Sequence, residues 1–296
     1  MSPCGRLARV WGEGAADYGA SMADSADRAW TGSMPDIYER CLAAAVFDPP
    51  AADLARRAAA VGPAEILELA SGTGTLTRQL TRRLPGAQVT ATDLSPAMIS
   101  YGTEHVPEAA WQQADALSLP FDDDLFDLVI CQFGVMFFDP KPAAFSEVAR
   151  VLRPDGRFLF STWDVIERND FAAAKAAAIN AAFPADPPTF LTRIPHGYAD
   201  LAAVAADLRA AGLVPQEQST VVLTGHAESA AQLAAGFCAG TPLRMAIEAR
   251  GPLQPAVETI AAQMTARLGP GPVTGRLTAH VIVARRAGQP GPGSGS

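Results

Sequence analysis

Basic clusters are missing from this sequence. Its 296 residues carry 23 Lys and Arg against 31 Asp and Glu, a formal net charge of −8, and nowhere do the cations form a run. A nucleic-acid partner needs a basic face to neutralise phosphates, so none is expected. Long apolar runs are missing too. No stretch of 18 apolar residues occurs, which argues against a membrane span, and Met1 to Val10 has no apolar core of the kind that marks a signal peptide. The four cysteines, Cys4, Cys41, Cys131 and Cys238, stand far apart, so neither a metal-binding pair nor a disulfide framework is suggested. These absences predict a reduced, cytoplasmic protein with free thiols and no metal, in which Cys131 is a small buried hydrophobe.

What is present is a core-forming composition, 49% apolar and only 18% charged. From residue 64 onward, apolar runs alternate with helical periodicity. Strands are expected at 64–69, 88–92, 110–113, 126–132 and 157–163, with helices at 75–84, 96–105 and 142–152 between them. Such alternation argues for parallel strands joined by crossover helices. The near-continuous apolar run Leu128-Val129-Ile130-Cys131 fits a sheet covered on both faces. Past Trp163 the alternation lapses. Helices are expected at 169–183, 200–211, 228–238, 243–249 and 255–268, a Pro-rich loop at 184–198, and two late strands at 216–223 and 277–284. The first 60 residues read as a helical cap, with helices at 35–45 and 50–61, and 287–296 as a disordered tail. Helical inserts at about 165–200 and 227–268 are expected to cover a site.

The chemistry starts at Glu68-Leu69-Ala70-Ser71-Gly72-Thr73-Gly74, which follows the first strand and opens a helix. Glycines at a strand-to-helix turn let a ligand lie against bare backbone, with the helix N-terminus aimed at it. Dinucleotide sites want a third glycine in the spacing G-x-G-x-x-G; here Thr77 holds that place, which argues against a nicotinamide oxidoreductase. Asp93 ends the second strand. Its two acceptor oxygens suit a ribose diol, or it caps the helix that begins near Pro96, a task Ser95 can equally take. Asp115 follows the third strand, where it can accept from an adenine amino group or stand as an ordinary loop carboxylate. Gln132-Phe133 follows the fourth strand, at the carboxyl edge where open α/β sheets bind ligands, while Val135, Met136, Phe137 and Phe138 divide between core and pocket wall.

Those residues, together with Asp93-Leu-Ser-Pro-Ala-Met98, Ala114-Asp-Ala116, the run 121–132 and Glu147-Val-Ala-Arg-Val-Leu-Arg-Pro-Asp-Gly156, resemble the class I S-adenosylmethionine-dependent methyltransferases of the ubiquinone/menaquinone-biosynthesis type. The resemblance spans roughly residues 66–163. It implies a Rossmann-like, doubly wound α/β sheet of seven strands in the order 3-2-1-4-5-7-6, the last strand antiparallel, with helical cap insertions. It also implies S-adenosyl-L-methionine as methyl donor, S-adenosyl-L-homocysteine as product and a small molecule as acceptor. By the same resemblance Glu68 and the turn Ala70, Ser71, Gly72, Gly74 hold the methionine part. Asp93 holds the ribose, Leu94 and Met98 flank the adenine, Asp115 and Ala116 meet its edge, and Gln132 lies near the sulfonium with Phe133 beside it. Ala70 departs from the family, which has glycine there. Tyr18, in the N-terminal cap, is expected either to reach the methionine carboxylate or to be a half-buried aromatic.

Methyl transfer from a sulfonium needs no covalent nucleophile, and a general base helps when the acceptor is a hydroxyl. His105, His196, His226, Tyr18 and Tyr198 are the candidates, and His196, in the expected cover, is preferred; His280 lies inside the last strand and is expected to face packing or solvent. Two rival readings remain open. One is a non-methylating S-adenosylmethionine-binding protein of the same fold; the other is an NAD(P)-dependent oxidoreductase.

Overall fold

A computed structural model describes residue 30 and residues 32–288. Tyr18, Cys4, residues 1–29 of the expected cap and residues 289–296 of the expected tail lie outside the described residues. The described chain opens with α1 (Met34–Tyr38), continues without a break through a π-helical stretch (Glu39–Phe47) and ends in α2 (Asp48–Val61). α2 opens on Asp48-Pro49-Pro50, and Gly62 stops it at φ 68°, a left-handed cap. The alternating part then follows: β1 (Glu65–Leu69), α3 (Thr75–Arg83), β2 (Gln88–Asp93), α4 (Pro96–His105), β3 (Ala110–Gln113), β4 (Phe126–Gln132), α5 (Lys141–Val151) and β5 (Leu152–Trp163). The remainder comprises α6 (Asp170–Ala182), the short α7 (Phe190–Arg193), α8 (Leu201–Ala210), β6 (Leu213–Ala227), α9 (Ala230–Ala239), α10 (Leu243–Glu248), α11 (Leu253–Leu268) and β7 (Val273–Arg286).

The seven strands form one sheet in the order β3-β2-β1-β4-β5-β7-β6. The first five pair in parallel, and β7 runs antiparallel between β5 and β6. Both faces are covered, as the apolar strands require. Ile66, Leu128, Ile130, Leu159 and Val281 point into one core with Leu54 and Ala58 of α2 and Leu76 and Leu80 of α3. Their sequence neighbours Leu67, Val129, Cys131, Phe158, Phe160 and Ile282 point into the other, larger core with Phe145 and Val148 of α5. The period of two along each strand is therefore what divides the apolar set between the two faces.

Four local expectations need correction. The helices expected at 35–45 and 50–61 are one continuous rod, because the wider π-helical turn carries the chain across the gap without a break. The strand expected at 157–163 starts at Leu152, directly after α5, and its irregular first residues, through Arg153-Pro154-Asp155-Gly156, pass a register shift against β4 near Phe126 and Leu128. The Pro-rich 184–198 segment contains α7. The closing strands are longer than 216–223 and 277–284, since they pair with each other along nearly their whole length, from Leu213–Arg286 to Ala227–Val273.

The order of the strands places a site. The chain leaves β1 toward β2 on one side and returns to β4 on the other, so a crevice opens at the carboxyl ends of β1 and β4, the switch point of a doubly wound sheet.

Candidate active site

A deep pocket occupies that crevice, with about 1540 Å³ of empty space counting its open mouth. Its floor is the pair of segments leaving β1 and β4. Ala70 and Phe133, each one residue past its strand, both take positive φ (50° and 54°), and they fold the two chain ends toward each other. Gly134 makes this close approach workable: a Cβ there would lie 2.5 Å from the Cβ of Ala70 and 2.6 Å from Sγ of Cys131. The methyl that Ala70 carries in place of the family's glycine is thus housed in the space a side chain at 134 would occupy. Gly72, also in the left-handed region at φ 55°, lines the pocket, and a Cβ on it would meet nothing within 4 Å. The backbone there is open for a ligand to lie against.

Asp93 is fixed at the end of β2 by the turn itself. Gly72 N–H donates to Oδ2 at 2.9 Å and Ser95 N–H to Oδ1 at 2.8 Å. Burial pushes the Asp93 carboxyl up, and the N–H groups of Ser95, Gly72 and Leu94 oppose that shift. Each oxygen keeps a second lone pair for a ligand hydroxyl. Ser95 is the N-cap of α4, its hydroxyl accepting from Met98 N–H at 3.4 Å, so capping does not occupy Asp93. Asp115 sits on the exposed rim and closes a local turn by accepting from Leu117 N–H at 3.0 Å. The loop after it is braced from α5. Glu147 accepts from Leu119 N–H at 2.7 Å, and Arg150 donates to the carbonyls of Phe121 (2.7 Å) and Leu119 (2.9 Å) and to the Glu147 carboxylate. Hydrogen bonds from Arg150 hold the Glu147 carboxyl below its ordinary range.

Ala70, Gly72, Asp93, Leu94, Met98, Asp115, Ala116, Gln132, Phe133 and His196 all line this one pocket. Glu68, Ser71 and Gly74 do not reach its wall. Glu68 is only 1% exposed; burial pushes its carboxyl up to about 8, the Thr77 hydroxyl opposing the shift and Asp93 adding to it, and Oε2 has no partner among the described residues. Ser71 is tied to β2 through Thr92 O. Gly74 packs against Trp111 and Val106. Gln132 donates from Nε2 to Phe47 O at 2.8 Å, which leaves its buried Oε1 unpartnered at the pocket wall.

The other half of the pocket is aromatic. Phe133 stacks on Trp163 with centroids 3.7 Å apart and planes 8° from parallel, and Phe47 meets both rings edge-on. Tyr38 stacks on Phe47, and Trp30 stands against Tyr38 and Phe137. The π-helical stretch supplies part of this wall through Leu42, Val46 and Phe47. It is anchored over the glycine turn by Glu39, which accepts from Thr73 Oγ1 at 2.6 Å and from Arg78 at 2.9 Å.

His196 lies at this end. Its Nδ1 is 2.7 Å from Asp164 O, and a carbonyl can only accept, so Nδ1 carries the proton and Nε2 keeps a free lone pair. Burial pushes His196 down to about 4, with Lys175 contributing in the same direction, so the ring is neutral near pH 7. Of the remaining candidates, His105 stacks on Tyr101, and Tyr198 donates to Asp207 at 2.8 Å; neither they nor His226 line the pocket. His280 is buried between Thr220 (3.0 Å) and Asp164 (3.3 Å), and so faces packing. Sequence reasoning missed Lys175, a buried pocket residue, and gave the bracing pair Glu147 and Arg150 no role of their own. Among the described residues no group of three or more His, Cys, Asp and Glu could hold a metal ion.

Residues 66–156 match a family model described as a methyltransferase domain. They include the glycine turn, Asp93, Asp115 and the α5 brace. Over these residues the chain is similar to a methyltransferase domain. Similar relatives include a malonyl-[acyl-carrier protein] O-methyltransferase of Hahella chejuensis, 41% identical over 34% of this chain and 37% of that protein. A demethylmenaquinone methyltransferase of Thermus thermophilus is 41% identical over 33% of this chain and 46% of that protein. One of Mycobacterium tuberculosis is 38% identical over 44% and 54%. The chain therefore spans about half or less of the length of these relatives. Among solved structures, a candidate methyltransferase from Bacillus halodurans C-125 superposes with a TM-score of 0.52 at 18% identity, over 79% of this chain and 99% of that one, which bears on the fold alone. The methyltransferase domain carries the glycine turn and both aspartates, while Trp163, Lys175, His196 and Phe237 lie outside the matched residues.

Proposed function

We propose that this protein moves a methyl group from S-adenosylmethionine to a small-molecule acceptor by direct in-line displacement, with oxygen ahead of nitrogen or carbon as the accepting atom. One observation carries the reading: a single pocket joins a glycine turn with two strand-end aspartates to an apolar, aromatic chamber. The residues present suit the donor. The bare backbone at Gly72 gives it a bed, and Gln132 Oε1 and Glu68 Oε2 are buried acceptors without partners, one at the wall and one behind it, suited to a cationic donor. When bound, S-adenosylmethionine supplies a methyl group already activated by the sulfonium charge. In this reading Ala70 and Gly72 of the turn meet the methionine part, Glu68, Ser71 and Gly74 shape the turn from behind the pocket wall, and Asp93 takes the ribose hydroxyls. Leu94 and Met98 flank the adenine, Asp115 and Ala116 meet its edge, and Gln132 and Phe133 lie toward the reacting centre.

The aromatic walls align the acceptor and exclude water, which is most of what such a transfer asks of a protein. The free Nε2 of His196 can take a proton from an acceptor hydroxyl. Helical segments near 165–200 and 227–268 form the cover in this reading, and residues 30–60 close the donor side; Phe190, His196, Phe237 and Thr241 already reach the pocket from those inserts. No helix among the described residues is long and apolar enough to cross a membrane, and we place the protein in the cytoplasm.

Calorimetric titration with S-adenosylhomocysteine tests the donor site, and a protein that gives no binding heat refutes it. Mass spectrometry of candidate acceptors then separates methyl transfer from mere binding, since only transfer adds one methyl. The nicotinamide reading is disfavoured by Thr77, whose fully buried side chain fills the space a third glycine would leave free.

A further inference from the structure

Lys141 and Lys175 are the only lysines among the 23 basic residues of the sequence. Lys175 lies on α6, is 7% exposed, and lines the acceptor half of the pocket. Its Nζ stands 3.7 Å from the centroid of the Phe237 ring. It has no ion-pair partner among the described residues. Asp164, the carboxylate that acts on His196 alongside Lys175, is held by Arg168 at 3.2 Å and His280 at 3.3 Å. The titratable groups that sense Lys175 are His196 and the Cys238 thiol, which burial pushes up to about 12 and therefore stays neutral.

A buried ammonium without a counter-ion is costly, and the face of one phenyl ring offsets only part of that cost. A purely structural role would be filled as well by leucine or methionine. The position instead calls for an anionic oxygen arriving with a ligand. The shape of that ligand follows from the walls: Phe133 stacked on Trp163, Phe47 edge-on to both, and Phe190 and Phe237 lining the pocket bound a space suited to a flat ring. An amine suits this place better than a guanidinium for one further reason. A guanidinium cannot give up its proton, whereas burial pushes Lys175 down to about 7, so the free amine is accessible near neutral pH.

We propose that Lys175 selects the methyl acceptor as an aromatic molecule bearing an acidic hydroxyl, and holds that hydroxyl as an oxyanion against Nζ. The proposal rests on the donor-site reading above. The proton balance is internal, and for such an acceptor Lys175 replaces His196 as the base: the O–H bond breaks with its electron pair left on oxygen, and the proton forms the third N–H bond of Nζ. A neutral phenol and a neutral amine become a phenolate and an ammonium, and the ammonium gains the counter-ion the protein does not provide.

The test uses p-nitrophenol, whose phenolate absorbs visible light and whose neutral form does not, titrated into protein saturated with S-adenosylhomocysteine. At a pH where the free probe is mostly neutral, the bound probe shows the phenolate band. Lys175→Met and Lys175→Gln bind the probe at least tenfold more weakly and without that band, yet keep the parent's affinity for S-adenosylhomocysteine. p-Nitroanisole, which has no ionisable hydrogen, binds parent and variants alike. A bound probe that stays neutral on the parent protein overturns the proposal without reference to any variant, as does equal phenolate binding by a variant that holds S-adenosylhomocysteine normally. Failure of the parent to bind S-adenosylhomocysteine would instead bring down the donor site, and this proposal with it.

Discussion

Replacing Gly134 with alanine sets a methyl 2.5 Å from the Cβ of Ala70 and 2.6 Å from the Sγ of Cys131, both inside ordinary contact distance. The backbone at 134 is at φ −96°, which alanine tolerates, so the whole penalty is steric. Overpacking of a tight core costs about 1–3 kcal/mol, and the upper part of that range applies because two neighbours are struck and one of them, Cys131, is fully buried in β4. Ala70→Gly alone acts through two opposed effects. It releases about 1–2 kcal/mol of left-handed strain at φ 50°, and it adds about 0.5–1 kcal/mol of unfolded-state entropy, so the net gain is about 1 kcal/mol or less. The informative quantity is the coupling. In the double variant the Ala70 clash is gone and only the Cys131 contact remains, so the pair is more stable than the sum of the singles by about 1 kcal/mol. Urea melts of the four proteins, with S-adenosylhomocysteine titrated into each, measure this. Additive melts would refute the claim that the space at 134 houses the methyl at 70.

Asp93→Ala removes the acceptor of two backbone N–H groups as well as the proposed ribose contact. It abolishes S-adenosylhomocysteine binding by calorimetry, whereas unchanged affinity would exclude the ribose role. Glu68 has a folded-state value near 8 against an ordinary 4.5, so the folded protein holds a proton there that the unfolded chain has lost. That contribution is complete below about 4.5 and is lost as pH rises toward 8, at about 1.36 kcal/mol per pH unit. The stability difference between parent and Glu68→Gln therefore shifts by about 2–3 kcal/mol between pH 5.5 and 7.5 in urea melts, and a constant difference would contradict it. Cys41, Cys131 and Cys238 are buried free thiols, and burial pushes Cys131 and Cys238 up to about 12. A thiol reagent at pH 8 accordingly leaves these three unmodified until urea is added, and fast labelling of any of them, located by peptide mapping, would contradict the packing.

The central sheet was legible because β1, β4 and the end of β5 are largely apolar runs of strand length set between helical periods, and the glycine turn, Asp93 and Asp115 stand at or just past the ends of the first three strands. The π-helical stretch was not, because nothing in Glu39–Phe47 differs locally from an ordinary helix; its partners Thr73, Arg78 and Gln132 lie far away in sequence. Lys175 was hidden for a related reason. One lysine among alanines reads as a solvated face, and its burial is created by Phe237 on α9, 62 positions further on. Glu147 and Arg150 were visible as part of a motif, but their work, holding the loop after Asp115, depends on contacts 27 to 31 positions back in the chain.

The antiparallel β7 has a consequence for how the chain is made. It lies between β5 and β6 and hydrogen-bonds to both, yet it spans residues 273–286, the last strand in the described chain. During synthesis β5 emerges with one open edge and β6 emerges with nothing beside it. The intervening helices cannot seal either, and open strand edges are what neighbouring nascent chains pair with. The sheet therefore closes only when β7 has left the ribosome and paired with the open edge of β5 on one side and with β6 on the other. A chain cut short of β7 would expose the open edge of β5 and an unpaired β6, and a cell would meet it as an aggregation seed.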